Sequence, residues 1–200
     1  MIEKIITGSF LTNTYIISNG EECIIVDPGL DFQKHAEDIK QKYNVQAILL
    51  THGHMDHIDG IRYFHVPIYI HELEVPFLFD DSLSLYHQFG KKSNFKKEAL
   101  NLRLVKDGME INLIGYTFKV IHTPGHTKGS VVYSYNNKLL SGDTLFHMGM
   151  GRTDFPTGDA LKMRDSLKKI ITLFNDNVDV YPGHESKTTI AFERKNNPFI

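Results

Sequence analysis

The chain has one cysteine, no long apolar run and no surplus of charge of either sign. Cys23 stands alone among 200 residues, so an intrachain disulfide is excluded and a reducing compartment is expected. No apolar stretch approaches the ~18 residues needed to cross a bilayer. The N-terminal MIEKIITGSFLTNTYIIS has no long apolar core and carries Glu3 early, unlike a secretory signal. Twenty-two Lys and Arg oppose 24 Asp and Glu, for a net charge of −2, which lacks the electrostatic footprint of a nucleic-acid binder. At 41% hydrophobic and 23% charged residues the composition is that of an ordinary globular protein, which excludes disorder. A chain of this length should bury roughly 70% of its unfolded surface as a single domain. The expectation is a cytoplasmic protein with no membrane or nucleic-acid partner and an oligomeric state left open. Histidine, with 11 copies, is the residue in excess.

Hydrophobic patterning alternates strands with helices. Residues 14–18 and 23–27 are β-branched runs split by Asn19-Gly20, a hairpin signal, and Asp27-Pro28-Gly29 ends the second in a turn. Ala36, Ile39 and Tyr43 fall at helical spacing within 33–43, and 45–51 is a buried strand. Short helices are predicted over 57–64 and 72–79, flanking a strand over 67–71. Residues 80–101 are the least regular. From 102 to 146 the chain reads as successive strands, clearest at 116–122, 130–135 and 138–142. An amphipathic helix spans 159–174, with Asp159 as its cap and Leu161, Leu167, Ile170, Ile171 and Phe174 on its buried side. A strand over 178–181 and a helix over 188–195 finish the pattern. The strand–helix pattern thus runs through two successive halves, an α/β arrangement.

The histidines gather at strand ends. Thr51-His52-Gly53-His54-Met55-Asp56-His57 follows an apolar strand and precedes a helix. In extended backbone His52 and His54 project to the same side and can grip one metal ion, with Gly53 letting the chain leave the strand. Asp56 and His57 are adjacent and converge elsewhere, which suits a second ion. Imidazole with carboxylate favours zinc, iron or manganese over calcium. The competing interpretation, a polar turn with Asp56 near a helix N-terminus, leaves three histidines and an aspartate in six positions to chance. Three later segments repeat strand, glycine turn and donor: Pro124-Gly125-His126-Thr127, Ser141-Gly142-Asp143-Thr144 and Pro182-Gly183-His184. Any one alone is weak, because a lone loop histidine is usually a surface residue. Together with the first cluster they make five histidines and two aspartates, enough for two ions.

These residues, with Asn13-Thr14-Tyr15, Val26-Asp27-Pro28-Gly29, Gly142-Asp143-Thr144-Leu145-Phe146, Gly151-Arg152-Thr153-Asp154 and Glu193 with Asn197-Pro198, carry a resemblance. Across nearly its whole length the chain resembles the metallo-β-lactamase superfamily, and within it the short glyoxalase II-like hydrolases. The resemblance implies an α/β fold of the αββα sandwich type: two sheets face to face, helices outside, metals at one edge. It implies a single domain over 1–200 without the C-terminal helical domain that supplies glutathione contacts in full-length glyoxalase II enzymes. It assigns His52, His54 and His126 to one metal, Asp56, His57 and His184 to the other, and Asp143 as the bridge. One departure is Asp59, where the superfamily often has glycine.

Two divalent ions, zinc first with iron or manganese as alternatives, would make a water acidic enough to serve as nucleophile near neutral pH. Asp56 is the candidate catalytic carboxylate that orients it. A thiolate leaving group, thiol pKa ~8.5, needs little acid catalysis, and the site's positive charge suits an anion. The reading is therefore a metal-dependent hydrolase of a small anionic thioester. Supporting roles fall to Asp27, as acceptor for a ligand imidazole, and to an Arg152–Asp154 pair. Against this stand a mononuclear iron persulfide dioxygenase on the same fold and a non-catalytic metal-binding module. The first uses two His and one Asp, whereas seven donors are present here. Structural zinc sites are usually closed by four ligands. A nuclease lacks the basic surplus, and a zinc β-lactamase commonly has Cys where Asp143 stands. Cys23 reads as core packing. His35, His65, His71, His87, His122 and His147 lack matching motifs. The lysine pairs at 91–92 and 96–97 read as a solvated loop or a basic lid.

Overall fold

Alternation along the strands sorts the side chains into layers. The computed structural model describes residues 1–200. Strands β1 (Ile2–Thr7), β2 (Thr12–Asn19), β3 (Glu22–Val26), β4 (Asn44–Leu49), β5 (Ile68–His71) and β6 (Leu102–Val105) form one sheet in that order. Strands β7 (Glu110–Leu113), β8 (Tyr116–His122), β9 (Val131–Tyr135), β10 (Lys138–Gly142), β11 (Asp179–Pro182) and β12 (Thr188–Thr189) form the second, ordered β12 to β7. Successive strand residues point to opposite faces. Tyr15, Ile17, Ile24, Val26, Ala47 and Leu49 therefore meet Phe118, Val120, Val131, Tyr133 and Leu140 of the other sheet in a central layer. Their neighbours Ile16, Cys23, Ile25 and Ile48 face outward onto helix α1 (Gln33–Lys42) through Ala36 and Ile39. Ile121, Val132, Leu139 and Val180 likewise face helix α3 (Ala160–Leu173) through Met163, Leu167 and Ile170. The result is the expected αββα sandwich. Cys23 is packed in its outer apolar layer.

Parallel crossovers in each sheet put strand ends on one edge. β3 and β4 are parallel, as are β10 and β11, and β8 runs with β10 because each is antiparallel to β9. Their C-terminal ends release Asp27, the 51–57 segment, His126, Asp143 and His184 together. No helix is long and apolar enough to cross a membrane.

Several local expectations change. The N-terminal residues 2–7 are a strand, paired antiparallel to β2. The helix expected from His57 is one α-turn, α2 (Met55–Ile58), followed by a 3₁₀ stretch over Asp59–Tyr63. The helix expected over 72–79 is 3₁₀ over Glu72–Leu78, with Pro76 inside it, a residue that cannot donate the helical hydrogen bond. β6 pairs with β5, so the run of strands from 102 divides between the sheets. The last helix, α4 (Ile190–Asn196), starts after a two-residue strand.

Asp159 does cap α3, accepting from the Leu161 and Lys162 backbone N–H groups at 3.0 Å each. The buried stripe differs from expectation: Met163 and Ser166 join Leu167 and Ile170, while Leu161 in the first turn is 76% exposed. The two leucines thus separate packing from propensity. Leu167→Ala should cost about 2–5 kcal/mol in denaturant unfolding, and Leu161→Ala should stay within about 0.5 kcal/mol. Equal losses would misplace the buried face of α3.

Candidate metal centre

The chain leaves β4 at Leu49 and turns through Thr51–His54 into α2, whose single turn carries Asp56 and His57. Gly53 is required at this corner, since a Cβ there would press into the Phe77 and Glu74 side chains. On the other sheet Gly183 lets β11 pass close behind the cluster, where a Cβ would run into the Asp143 carboxylate. All seven donors predicted as ligands are brought together. His52, His54 and His126 form one group, Asp56, His57 and His184 a second, and His52, His57 and Asp143 a third between them, with the ligand atoms of each within 4.8 Å.

Hydrogen bonds set the imidazole tautomers. His126 Nδ1 donates to the Arg152 carbonyl at 2.7 Å, His184 Nδ1 to the Phe10 carbonyl at 3.1 Å, and His57 Nδ1 to Asp27 Oδ2 at 2.9 Å. The Thr51 hydroxyl donates to Asp27 at 2.6 Å, so it accepts from His52 Nδ1 at 3.1 Å. In all four rings this leaves Nε2 aimed into the cluster. His54 points the other way round, with Nδ1 2.9 Å from His126 Nε2. The Asp143 carboxylate lies between the groups, Oδ1 3.4 Å from His57 Nε2, and Oδ2 3.5 Å from both His126 and His184 Nε2. His52 Nε2, His54 Nε2 and Asp143 Oδ1 are buried without a hydrogen-bond partner. Buried polar atoms are usually partnered, so unpartnered lone pairs at His52 Nε2 and Asp143 Oδ1 within one donor group fit a cation.

Charges follow the same division. Burial holds His52, His54 and His126 below the usual histidine range, so all three are neutral at pH 7. Burial acts likewise on His57, but Asp143, Asp56 and Asp27 outweigh it and raise the ring to about 9. His184 rises to about 11 against its own burial, because Asp143 and Asp56 face it. Asp56 and Asp143 stay below the carboxylate range although burial opposes this, held there chiefly by His57 and His184.

Of the residues given supporting roles, Asp27 takes the Thr51 backbone N–H at 2.8 Å as well as the Thr51 hydroxyl and His57. Arg152 and Asp154 do pair, at 2.9 and 2.7 Å, but on the exposed rim, and Arg152 reaches His126 through its backbone carbonyl. Two residues were not anticipated. Thr12 donates its hydroxyl to Asp56 Oδ2 at 2.9 Å. Glu74, fully buried, takes the Gly53 N–H on one oxygen and the Gly129 N–H on the other, both at 2.7 Å. It thereby pins the backbone between His52 and His54 to the loop after His126. Burial pushes its carboxyl up to about 7 against these hydrogen bonds and that of Thr127. Nothing in the local sequence separates it from the exposed Glu72.

Two expectations follow. Glu74→Gln turns an amide donor toward a backbone donor. It should cost about 1.5–3 kcal/mol of stability and about 10-fold or more in metal affinity, read by denaturation and zinc titration. Unchanged values for both would show that the clamp is idle. The second concerns pH. A cation entering the Asp56–His57–His184 group must displace protons from rings that hold them up to about 9 and 11. Its affinity should rise as pH rises, by up to about tenfold per unit for each proton displaced. The neutral His52–His54–His126 group should change little. Calorimetric zinc titrations near pH 6 and pH 8.5, with proton release measured, should find the second equivalent strengthening far more than the first. Parallel strengthening of both would contradict the assignment of charge.

A family model described as the metallo-beta-lactamase superfamily matches residues 7–184. Hydroxyacylglutathione hydrolase GloC of Haemophilus influenzae is 32% identical over 207 aligned residues, spanning 100% of this chain and 97% of the relative. Among solved structures, the BLEG-1 B3 metallo-beta-lactamase superposes with a TM-score of 0.91 at 34% identity, over 100% of this chain and 99% of that one. TTHA1623, solved in a di-iron-bound form, gives 0.84 at 31% identity, over 99% and 100%. This chain belongs to the metallo-β-lactamase superfamily.

Proposed function

We propose that the protein is a metal-dependent hydrolase of small thioesters that works with two divalent ions. The observation that carries this is Asp143, whose two oxygens face His57 on one side and His126 and His184 on the other. A carboxylate so placed can serve both donor groups at once. His52, His54 and His126 would hold one ion and Asp56, His57 and His184 the other, with Asp143 shared. Zinc suits these nitrogen and oxygen donors, and the di-iron form of TTHA1623 makes iron the alternative. Bound there, two such ions supply an acidified water as nucleophile and a Lewis acid for the carbonyl oxygen.

The protein's own part is positional. Asp56 is ionised, and Thr12 holds one of its oxygens at 2.9 Å, leaving the carboxylate as a fixed acceptor for a water hydrogen. Asp27, Thr51 and the carbonyls of Phe10 and Arg152 fix four rings by their Nδ1 atoms, so little reorganisation is left for the reaction. The cavity over the cluster offers no lysine, tyrosine or cysteine to protonate a leaving group. A thiolate, from a thiol of pKa ~8.5, departs without one, whereas an amine does not. The named activity of GloC, a thioester hydrolase by its substrate, agrees with this choice.

Asp143→Asn keeps the shape and removes the charge, and its amide nitrogen is no ligand. Metal content should fall below two per chain and kcat for thioesters by at least ~100-fold. Circular dichroism should be unchanged, since Asp143 sits at a strand end. Both ions retained with full activity would overturn the two-metal mechanism. One tightly held iron in the native protein, with sulfur-dependent oxygen uptake, would point to the persulfide dioxygenase instead.

A further inference from the structure

The cavity over the donor cluster encloses about 300 Å³, at the small end for ligand sites, and its lining divides sharply. Five of its six polar residues are candidate ligands. The sixth, Arg152, already binds both oxygens of Asp154 and lies over the Phe155 ring at 4.2 Å. The remaining walls are side chains such as Phe10, Leu85, Phe89, Phe146, Met150 and Phe155. Lys91, Lys92, Lys96 and Lys97 are exposed, and none lines the cavity, so they form no basic lid. Away from the donor cluster, no unpaired charged side chain of the lining is left to meet a carboxylate or a peptide-like carrier.

The rim is aromatic. Phe10, from the β1–β2 turn, and Phe89, from the irregular 80–101 segment, meet edge to face at 4.9 Å and are 36% and 49% exposed. The segment bearing Leu85 and Phe89 contains only single 3₁₀ turns. It is fastened instead to the metal-binding turn. Asp59 Oδ1 accepts from the Tyr86 hydroxyl and from Arg62, each at 2.6 Å. Arg62 also donates to the Ser93 carbonyl at 3.2 Å, and Met55 N–H donates to the Ser84 carbonyl at 2.9 Å. The residue that departs from the family's glycine is thus the one that ties this wall to the turn carrying Asp56 and His57.

We propose that the substrate is a thioester with a hydrocarbon group beside the scissile bond, seated among Phe10, Leu85, Phe89 and Phe155, with Asp59 positioning the wall. The proposal rests on the thioester reading above for the reaction, and on the cavity for the preference. Burying hydrocarbon here needs no new charge partner and gains affinity with each methylene removed from water. A glutathione-like carrier, by contrast, would bring carboxylates to a wall that has no free cation for them.

Two measurements separate the preference from the reaction. Calorimetric titration with a series of dialkyl ketones, in which CH₂ replaces the ester sulfur, reads binding without turnover. Affinity should climb roughly three- to fourfold per added methylene until the cavity fills. Phe89→Ala and Asp59→Ala should flatten the series, and Asp59→Asn, which keeps the acceptor oxygen, should restore it. In kinetics, thioesters of a small neutral thiol are lengthened on the acyl side, and thioacetates on the thiol side. At least one series should gain tenfold or more in kcat/KM from the shortest to the hexyl member, with a succinyl ester no better than acetyl. A flat ketone series alongside rapid thioester hydrolysis would overturn the hydrocarbon pocket and leave the hydrolase. A rising ketone series with no thioester cleaved would overturn the hydrolase and leave the pocket.

Discussion

One buried carboxylate holds the site's two halves in register. Asp27, at the C-terminal end of β3, accepts the backbone N–H and hydroxyl of Thr51 and the Nδ1–H of His57. Through the Thr51 hydroxyl it also orients His52. A single side chain thus directs a ring in each donor group. Asp27 adopts a left-handed backbone, φ +50°, a conformation costing of order 1–3 kcal/mol for a non-glycine residue. Burying a carboxylate adds a further cost unless it is fully hydrogen-bonded. Three donors from the neighbouring strand end and helix turn offset both. The parallel pairing of β3 with β4 brings Thr51 to it, so the sheet's topology and the site's chemistry are joined at this residue.

The charge pattern around it makes the donor cluster tolerant of its own repulsions. Asp27, Asp56 and Asp143 would repel one another in a dry pocket. His57 and His184 hold protons at neutral pH because those carboxylates face them. These two protonated rings offset two of the three negative charges gathered at the sandwich edge. A metal taken up by these rings would displace those protons, which would link its occupancy to pH.

Much of this was legible from spacing. The 51–57 segment spoke for itself because its donors lie within one strand-to-helix turn, where separation in sequence maps directly onto separation in space. The three later donors were legible by repetition, each a strand, a glycine and a ligand-type side chain. What was not legible depends on tertiary approach. Glu74 stands 21 residues from Gly53 and 55 from Gly129 in the chain, and its neighbour Glu72 looks the same in sequence but is exposed. The Arg152–Asp154 pair was anticipated, yet it is the Arg152 carbonyl that reaches His126, and side-chain chemistry does not announce a carbonyl. β1 has alternating half-exposed residues at an edge, too weak an apolar signal to register beside the fully buried β2. Leu161 has helical spacing, but sits in the first turn of α3, where its side chain is exposed.

The division of donors between the two sheets has a consequence for how the centre comes into being. The first sheet's loops carry His52, His54, Asp56 and His57, and the second sheet's carry His126, Asp143 and His184. Neither sheet has a complete set: the first offers three histidines and one aspartate, the second two histidines and one aspartate. The three-histidine group is complete only with His126 of the second sheet, and the other only with His184, whose Nδ1 donates to the Phe10 carbonyl of the first. Ions held by these groups would rivet the two sheets together along their shared edge, because each group draws donors from both sheets.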